Sequence, residues 1–348
     1  MTTPSLRNSV SRSPLRRGFL LIPLLLTCFA LSPTGQAQLP SPAPDGGYAN
    51  GNTAEGDDAL FSLTTGGANT ALGFDALYSI TSAFHDTATG YQALYSDTAS
   101  NNTATGYQAL YSNTTAIFNT ADGVQALFSN TEGSFNTASG HKALYSNTTG
   151  NTNTATGVDA LYGNTTGYSN TADGTQALFS NTTGVENTAN GFLALVSNTT
   201  GSGNTANGVS ALFSNTTGDD NTANGVEALF TNTTGAFNTA NGFHALYSNT
   251  GGSDNTATGV NALVSNTTGY ENTAIGADAL DFNTTGHDNT ATGYRALYIN
   301  TTGFNSTANG FEALLSNTTG NDNTANGAYG LYNNTTGSRN VATGSSAL

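Results

Sequence analysis

Cysteine is nearly absent from this sequence of 348 residues, in which Cys28 is the single example. Cys28 lies in an N-terminal segment with the features of an export signal. A basic stretch ends at Arg16–Arg17, an apolar run extends from Phe19 to Leu31, and Gly35-Gln36-Ala37 is a small-x-small ending that suits cleavage after Ala37. We therefore predict a signal peptide at residues 1–37. The mature chain would contain no cysteine, and hence neither disulfides nor thiol chemistry.

Long hydrophobic runs are also scarce. The one run, at Phe19–Leu31, is short and contains Pro23, so we expect no membrane-spanning helix in the mature chain. The sequence Arg16-Arg17-Gly18-Phe19-Leu20 resembles a twin-arginine export signal, and both general secretion and twin-arginine export stay open. Residues 38–51, QLPSPAPDGGYANG, are rich in Pro and Gly and predict a flexible leader.

Basic residues are few. The chain has 7 Lys and Arg against 22 Asp and Glu. Four of the seven are arginines of the predicted signal peptide, so the mature chain retains 3 basic residues and a net charge of 3 − 22 = −19. A polyanion of this kind repels phosphate backbones and anionic lipid surfaces, which argues against nucleic acid as a partner.

What the sequence does contain is one repeated unit. Residues 52–348 hold eighteen copies of N-T-A-x-G-x-x-A-L-(Y/F)-S-N-T-T-G-x-x, seventeen residues long except for the unit Asp86–Asn101, which is one residue short. Counted from the opening Asn, position 3 is always Ala, position 5 always Gly and position 9 always Leu. Position 6 is mostly apolar, position 10 is usually aromatic, and position 7 varies freely. The fixed positions predict the repeat core, represented by Ala138, Gly140, Ala143, Leu144, Ala223, Gly225, Ala228 and Leu229.

A period of seventeen residues is too short for two helices and their turns, which need about 33–47 residues. Gly, Asn and Thr are also poor helix formers. We therefore predict an all-β fold, a parallel β-solenoid built by one chain from about eighteen 17-residue coils, each with two short strands and two turns. Identical residues would stack from coil to coil, with Asn ladders like those of cross-β structures.

The apolar pattern around position 9 predicts self-association. In a strand, positions 6, 8 and 10 would share one face and position 9 the other, so both faces would be apolar. One face would fill the interior and the other would form an exposed stripe along the rod, larger than soluble monomers usually present. The alternative is that local twist or a bulge brings both faces into one core.

The unit NTAxGxxAL resembles the head repeat of YadA-type trimeric autotransporter adhesins, which carry S-V-A-x-G-x-x-A. The matching segments include residues 136–143, NTASGHKA, and residues 340–347, NVATGSSA. The resemblance covers residues 52–348 and implies a left-handed parallel β-roll, a homotrimer, and attachment to host, matrix or environmental surfaces. Heads of that family lead into a stalk and a membrane anchor. Here the repeat reaches Leu348 at position 9 with neither, so we expect a truncated product or a secreted rod.

We therefore predict a non-catalytic module, extracellular or on the outer cell surface, that needs no cofactor or metal. Its ligand specificity would lie on the variable position 7, at residues such as Lys142, Glu227, His244 and Arg295. Two alternatives remain: an ice-binding solenoid using its Thr columns, and a passive matrix or spacer filament. A regular Thr-x-Thr face is broken in most coils, because position 4 is Thr in only some of them.

Other site chemistry finds little support in the sequence. The histidines at 85, 141, 244 and 287 fall at four different positions of the repeat, so they cannot form a repeating ligand column. No acidic column of the kind that binds Ca²⁺ is present. The Asn-Thr-Thr triplets match the N-glycosylation acceptor, but we interpret them as turns and ladders.

Overall fold

The computed structural model describes residues 47–348, in which the chain forms a β-solenoid with one continuous sheet along it. Each coil contributes one strand, at positions 2–4 in nearly every case. The strands are β1 (Gly47–Tyr48), β2 (Asn52–Glu55), β3 (Thr70–Leu72), β4 (Thr87–Thr89), β5 (Thr103–Thr105), β6 (Thr120–Asp122), β7 (Thr137–Ser139), β8 (Thr154–Thr156), β9 (Thr171–Asp173), β10 (Thr188–Asn190), β11 (Thr205–Asn207), β12 (Thr222–Asn224), β13 (Thr239–Asn241), β14 (Thr256–Thr258), β15 (Thr273–Ile275), β16 (Thr290–Thr292), β17 (Thr307–Asn309), β18 (Thr324–Asn326) and β19 (Val341–Thr343).

The strands β2 to β19 run parallel, and equivalent residues of successive coils pair directly. In β12 and β13, for example, Ala223 pairs with Ala240 and Asn224 with Asn241. The in-register stack confirms the predicted parallel β-solenoid. The prediction of two strands in each coil is wrong, because each coil forms one strand, and the only pairing outside these strands in the described residues is an isolated bridge between Gly67 and Phe84.

Each strand ends at position 5, where the backbone turns into a conformation that only glycine can adopt. Gly225 has φ +141°, and a Cβ atom there would lie 2.7 Å from the carbonyl carbon of Gly242 in the next coil. Both the left-handed backbone and the close approach of the neighbouring coil exclude a side chain. This explains why glycine never varies at the position.

Positions 6–11 form turns rather than a second strand, as at His141–Ser146. Lys142 at position 7 and Leu144 at position 9 have φ +53° and +54°. A non-glycine residue in this region costs about 1–2 kcal/mol. Hydrogen bonds to neighbouring coils hold both residues there: Lys142 N–H donates to Val124 O, and Leu144 N–H donates to Ala160 O, each at 2.9 Å.

The turn corrects the prediction for the two faces of this segment. Because the backbone is not extended, adjacent side chains need not alternate, and Ala143 and Leu144 both enter the interior, each 0% exposed. The alternative prediction, in which the two apolar faces of this segment enter one core, is therefore confirmed for positions 8 and 9. Positions 6 and 10 instead face outward.

The interior is thin and consists of Ala at positions 3 and 8 and Leu at position 9. Ala138, Ala223, Ala228 and Leu229 are also 0% exposed. Gly140 and Gly225, also predicted for the core, lie instead at its edge, in the bend that follows the strand. Because one Leu and two Ala give little hydrophobic burial, each coil depends on the hydrogen-bonded ladders to its neighbours.

Asparagine side chains complete the interior, at positions 1 and 12. In the coil 221–237, Asn221 and Asn232 are both 0% exposed. The two Nδ2 groups donate to the same acceptor, the carbonyl of Gly235, at 2.8 and 2.9 Å. The Nδ2 group of Asn232 also donates to Oδ1 of Asn215 in the preceding coil at 2.8 Å. The predicted Asn ladders are thus confirmed.

At the N-terminal end, β1 pairs antiparallel with β2, with Gly47 opposite Thr53 and Tyr48 opposite Asn52. A short 3-10 turn, Ala49–Gly51, connects the two strands. The end of the predicted leader is therefore part of the sheet rather than flexible, and it covers the first strand edge. The predicted signal peptide 1–37 and residues 38–46 lie outside the described residues. Within residues 47–348, no helix has the length and apolar character needed to cross a membrane.

Candidate interaction face

The outward side chains of positions 6, 7 and 10 form one surface along the solenoid, which we call the aromatic face. Its most exposed column is position 6, where large apolar side chains range from 38% exposed at Tyr294 to 50% at Phe192. These side chains are Phe74, Tyr91, Tyr107, Val124, Val158, Phe192, Val209, Val226, Phe243, Val260, Tyr294 and Phe311. The longest uninterrupted run of the column is Phe192 to Val260, between Thr175 and Ala277. An exposed apolar column of this length is unusual on the surface of a soluble monomer.

Position 10 supplies a second, half-buried column beside it. Eight consecutive rings, from Phe61 to Phe179, stack with centroids 5.0–5.2 Å apart and planes within 9° of each other. Val196 interrupts the stack, which resumes at Phe213, Phe230 and Tyr247. The rings cover one another's faces and present their edges outward. This arrangement stabilises the coil stack and leaves few ring faces for stacking against a sugar.

Position 7 lies between the two columns and carries the variable polar side chains. All four predicted site residues, Lys142, Glu227, His244 and Arg295, occupy this column and are half-buried. Lys142 and Arg295 are nine coils apart, so the four cannot form a single pocket. Glu227 and His244 belong to neighbouring coils and do meet, with Oε2 and Nε2 2.8 Å apart.

The cations of position 7 rest on the aromatic columns. Lys142 Nζ lies 5.5 Å from the ring centre of Tyr145. The Arg295 guanidinium carbon lies 5.0 Å from both Tyr294 and Tyr298, and its Nε is 3.4 Å from Oδ2 of Asp278. Cation–π contacts at exposed sites contribute about 0.5–1 kcal/mol. Aromatic side chains and charge are thus combined in one surface.

Sequence reasoning missed several polar members of this face. Gln92, Gln108 and Gln125 form a ladder along position 7, in which each Nε2 of Gln108 and Gln125 donates to the preceding Oε1 at 3.0 and 3.1 Å. Their signal was present in the sequence as three consecutive glutamines at one position. Asp281 takes the place of an aromatic at position 10. Burial, reinforced by Asp278 and offset by Arg295, raises the pKa of Asp281 to about 6.

The histidines and the asparagines of the Asn-Thr-Thr triplets are the other residues that the sequence raised as possible sites. The four histidines do not stack on one another: His141 faces Asp159 at 3.6 Å, His287 faces Asp288 at 3.9 Å, and His85 is exposed. Among residues 47–348, no three or more His, Cys, Asp or Glu side chains converge in a way that could hold a metal ion. The Asn of the Asn-Thr-Thr triplets is position 12, which the ladder buries in every triplet except the last, where Asn334 is half-buried. The folded chain therefore does not present the buried ones for glycosylation.

The threonine columns differ in how free they are. Position 13 is not available to solvent as a hydroxyl array, because its Oγ1 donates to the position 13 carbonyl of the next coil, as from Thr148 to Thr165 at 3.0 Å. Position 2 is on the outer face of the sheet, with position 4 beside it, and both are outward in every coil. Thr-Ala-Thr strands with two outward threonines occur in β4, β5, β8, β14 and β16.

No model of a known protein family matches the chain, and a search of curated proteins finds no match.

Proposed function

We propose that this protein is a non-catalytic binding module that acts outside the cell or on its surface and mediates attachment, like the head of a trimeric autotransporter adhesin. The aromatic face is the observation that supports this proposal. A frame of invariant Ala, Gly, Leu and buried Asn holds the face rigid, while position 7 changes from coil to coil. A constant frame with a varied surface is the arrangement expected of a module selected for binding.

The test is adhesion of the purified chain, residues 38–348, to immobilised matrix proteins and to abiotic surfaces. The informative variant replaces Lys142, Glu227, His244 and Arg295 with Gln, which occupies position 7 naturally at Gln92 and Gln176. We expect this variant to keep its circular dichroism spectrum and lose most of the binding. A parent chain that binds no better than an unrelated soluble protein would overturn the proposal.

We further propose that three copies associate laterally through part of the aromatic face. The support is the apolar column at position 6, whose longest run, from Phe192 to Val260, is exposed in a single chain. The mass in solution, measured by light scattering, should correspond to three chains. Changing Val209, Val226 and Phe243 to Ser or Thr should shift the mass toward a monomer, whereas the same number of Thr→Ser changes at position 2 should not.

The position 6 variants are expected to fold, because Thr175 and Ser345 already occupy this position. A monomeric parent chain would contradict trimer formation and leave the adhesion proposal to be judged on its own assay. For export, we propose that the mature chain begins at Gln38. Mass spectrometry of protein recovered outside the cell would check this, and recovery of the intact chain from the cytoplasm alone would contradict it.

Ice binding is a second candidate function, and the outward threonines of position 2 support it. They pair Thr to Thr from coil to coil, as Thr222 does with Thr239. The row at position 4 is mixed, with Asn at 190, 207, 224 and 241, which favours the adhesin proposal. Thermal hysteresis of a dilute sample decides between the two, since an adhesin module should show none.

A further inference from the structure

One coil departs from the buried amide ladders. The short coil 86–101 carries Asp86 at position 1 and Asp97 at position 12, where most other coils carry Asn. Both side chains are 0% exposed. In each of them, Oδ2 is buried and has no hydrogen-bond partner. Two unpaired oxygens in a dry interior are costly unless something supplies positive charge or hydrogen.

The neighbouring coil shows what is missing. In the coil 102–118, Nδ2 of Asn102 and Nδ2 of Asn113 both donate to the carbonyl of Ala116 at position 15, each at 2.9 Å. In the short coil, Ser100 occupies position 16, because its hydroxyl accepts a hydrogen bond from Phe84 N–H in the preceding coil. The position 16 hydroxyl of Ser134 accepts in the same way from Ile117 N–H. The residue before Ser100, Ala99, is therefore at position 15. Asp86 and Asp97 thus place carboxyl oxygens where other coils place two N–H donors.

The Oδ1 atoms, in contrast, have all the partners they need. Oδ1 of Asp86 accepts from Asn102 N–H at 2.8 Å. Oδ1 of Asp97 accepts from Nδ2 of Asn113 at 2.7 Å. Asp97 is the first polar member of the position 12 ladder, because the preceding coil has Ile80 there, which cannot accept a hydrogen bond. An Asn at 97 would leave one of its two N–H groups without the ladder acceptor that other coils supply.

A neutral carboxylic acid has the right set of groups for this place: one acceptor for the following coil and one O–H donor for the position 15 carbonyl. We propose that Asp86 and Asp97 form a buried proton-binding pair, and that loss of its protons loosens the solenoid at the coil 86–101. Burial, first of all, raises the pKa of Asp86 to about 8 and that of Asp97 to about 7.

Among the described residues, no positively charged side chain lies close enough to stabilise the ionised form of Asp86 or Asp97. The side chains that face the pair from the adjoining coils are Asn69, Ile80, Asn102 and Asn113, all uncharged. Each carboxyl group is the only charged neighbour of the other, and their mutual repulsion adds to the effect of burial at Asp86. His85, next in the chain, is exposed and stands beside Phe84 rather than in the interior.

A divalent cation is the competing occupant, and the geometry favours it less. Ca²⁺ takes about 6–8 oxygen ligands, and Mg²⁺ requires an octahedral set. Here two carboxylates and one carbonyl face an interior that Ile80, Ala and Leu side chains close. The amide oxygens of Asn69, Asn102 and Asn113 already accept hydrogen bonds of the ladders. A proton needs only the hydrogen-bond spacing that the adjacent coil already shows.

The direction of the pH dependence follows from the sign of the shift. A carboxyl whose pKa is higher in the folded chain binds more protons there than in the unfolded chain. Its coil is therefore most stable below the unfolded pKa, near 4, and loses stability as pH rises toward the folded value. The loss of stability should be complete once the pH exceeds the pKa of both carboxyl groups, which is about 7 for Asp97 and about 8 for Asp86.

The experiment compares the wild type with the double variant Asp86→Asn/Asp97→Asn, which gives the coil the residues of its neighbours. The control is Asp173→Asn/Asp220→Asn, which removes the same charge from positions 4 and 17, where Asn190 and Asn305 occur naturally. Hydrogen–deuterium exchange of peptides covering residues 86–116 is followed at about pH 6 and about pH 9.

On raising the pH, we expect protection of this segment to fall at least about tenfold in the wild type and the control, relative to the double variant. Coils after residue 238, which contain none of the substitutions, should respond alike in all three. The infrared band of neutral carboxylic acids should be stronger near pH 6 in the wild type and the control than in the double variant, in which Asp281 still contributes to it.

Either of two results would overturn the proposal. The first is a wild type whose infrared spectrum near pH 6 matches that of the double variant, since the pair would then be ionised. The second is calorimetric binding of Ca²⁺ or Mg²⁺ to the wild type that the double variant loses, since the pair would then hold a cation.

Discussion

Replacing Asn232 with Ala should test whether the buried amide ladder, rather than the small hydrophobic core, holds the coils together. Asn232 donates to Oδ1 of Asn215 and to the carbonyl of Gly235, and it accepts from Nδ2 of Asn249, at 2.8, 2.9 and 2.8 Å. The substitution leaves the amide of Asn249 and the oxygen of Asn215 without this partner in a water-free interior. The Gly235 carbonyl keeps its bond from Asn221 at 2.8 Å.

Each buried group left unsatisfied costs about 1–3 kcal/mol, so the expected loss in the free energy of unfolding is about 2–6 kcal/mol. Native domains are stable by about 5–15 kcal/mol in total, so the effect should be large in urea unfolding followed by circular dichroism. Because a repeat array can open locally, hydrogen exchange should show the loss of protection concentrated in residues 215–254.

The same coil supplies a matched control. Asn224 also belongs to a ladder: it accepts from Nδ2 of Asn207 and donates to Oδ1 of Asn241, each at 2.8 Å. It is on the outer face of the sheet, where water replaces lost partners, so Asn224→Ala should cost about 1 kcal/mol or less. Equal losses for the two variants, within about 0.5 kcal/mol, would refute the argument that burial makes the inner ladder decisive.

Three further substitutions test other parts of the coil. Gly225→Ala should destabilise the chain by more than about 2 kcal/mol, because Gly225 has a left-handed φ and lies close to the carbonyl of Gly242. Its control, Gly251→Ala, should be neutral or stabilising, because only Thr234 Oγ1 lies within 4 Å of the added Cβ. Similar urea midpoints for the two variants would contradict this. Leu229→Ala should cost about 2–5 kcal/mol by the same assay, and a smaller loss than Val226→Ala on the surface would be evidence against a Leu spine. Asp281→Val should raise the urea midpoint near pH 8 and leave it unchanged near pH 4. The raised pKa of Asp281, about 6, makes its coil lose stability as the pH rises between these values, and Val removes that loss. An equal gain in the midpoint at both pH values would show that packing alone causes it.

Much of the candidate face could be predicted from residue type. Position 6 was recognised as apolar and position 10 as aromatic, and the exposed stripe that follows from them is present. Its geometry could not be predicted in the same way. The strand rule that alternate side chains share a face places positions 6, 8 and 10 together, but Lys142 and Leu144 adopt left-handed conformations that turn Ala143 inward and leave His141 and Tyr145 outside.

The structural role of asparagine could be predicted only in part. Its repetition predicted ladders, and the Asn-Thr-Thr triplets predicted turns, but neither pattern indicated that the Asn at position 12 is fully buried, as Asn147 and Asn232 are. Asp86 and Asp97 illustrate the limit most directly, since in the sequence they are two ordinary acidic residues in a slightly short unit. Their neighbours at 69, 80, 102 and 113 come from other coils, and only stacking brings these together.

The sequence alone determined the repeat length, the parallel stacking of like residues, and the identity of the Ala and Leu that fill the interior, because these depend on periodicity and on hydrophobic burial, which are properties of the chain itself. Tertiary structure decided which side chains between positions 6 and 12 are buried, and which polar groups lack a partner. Those outcomes depend on backbone turns that are individually unfavourable and persist only because hydrogen bonds from the preceding and following coils hold them.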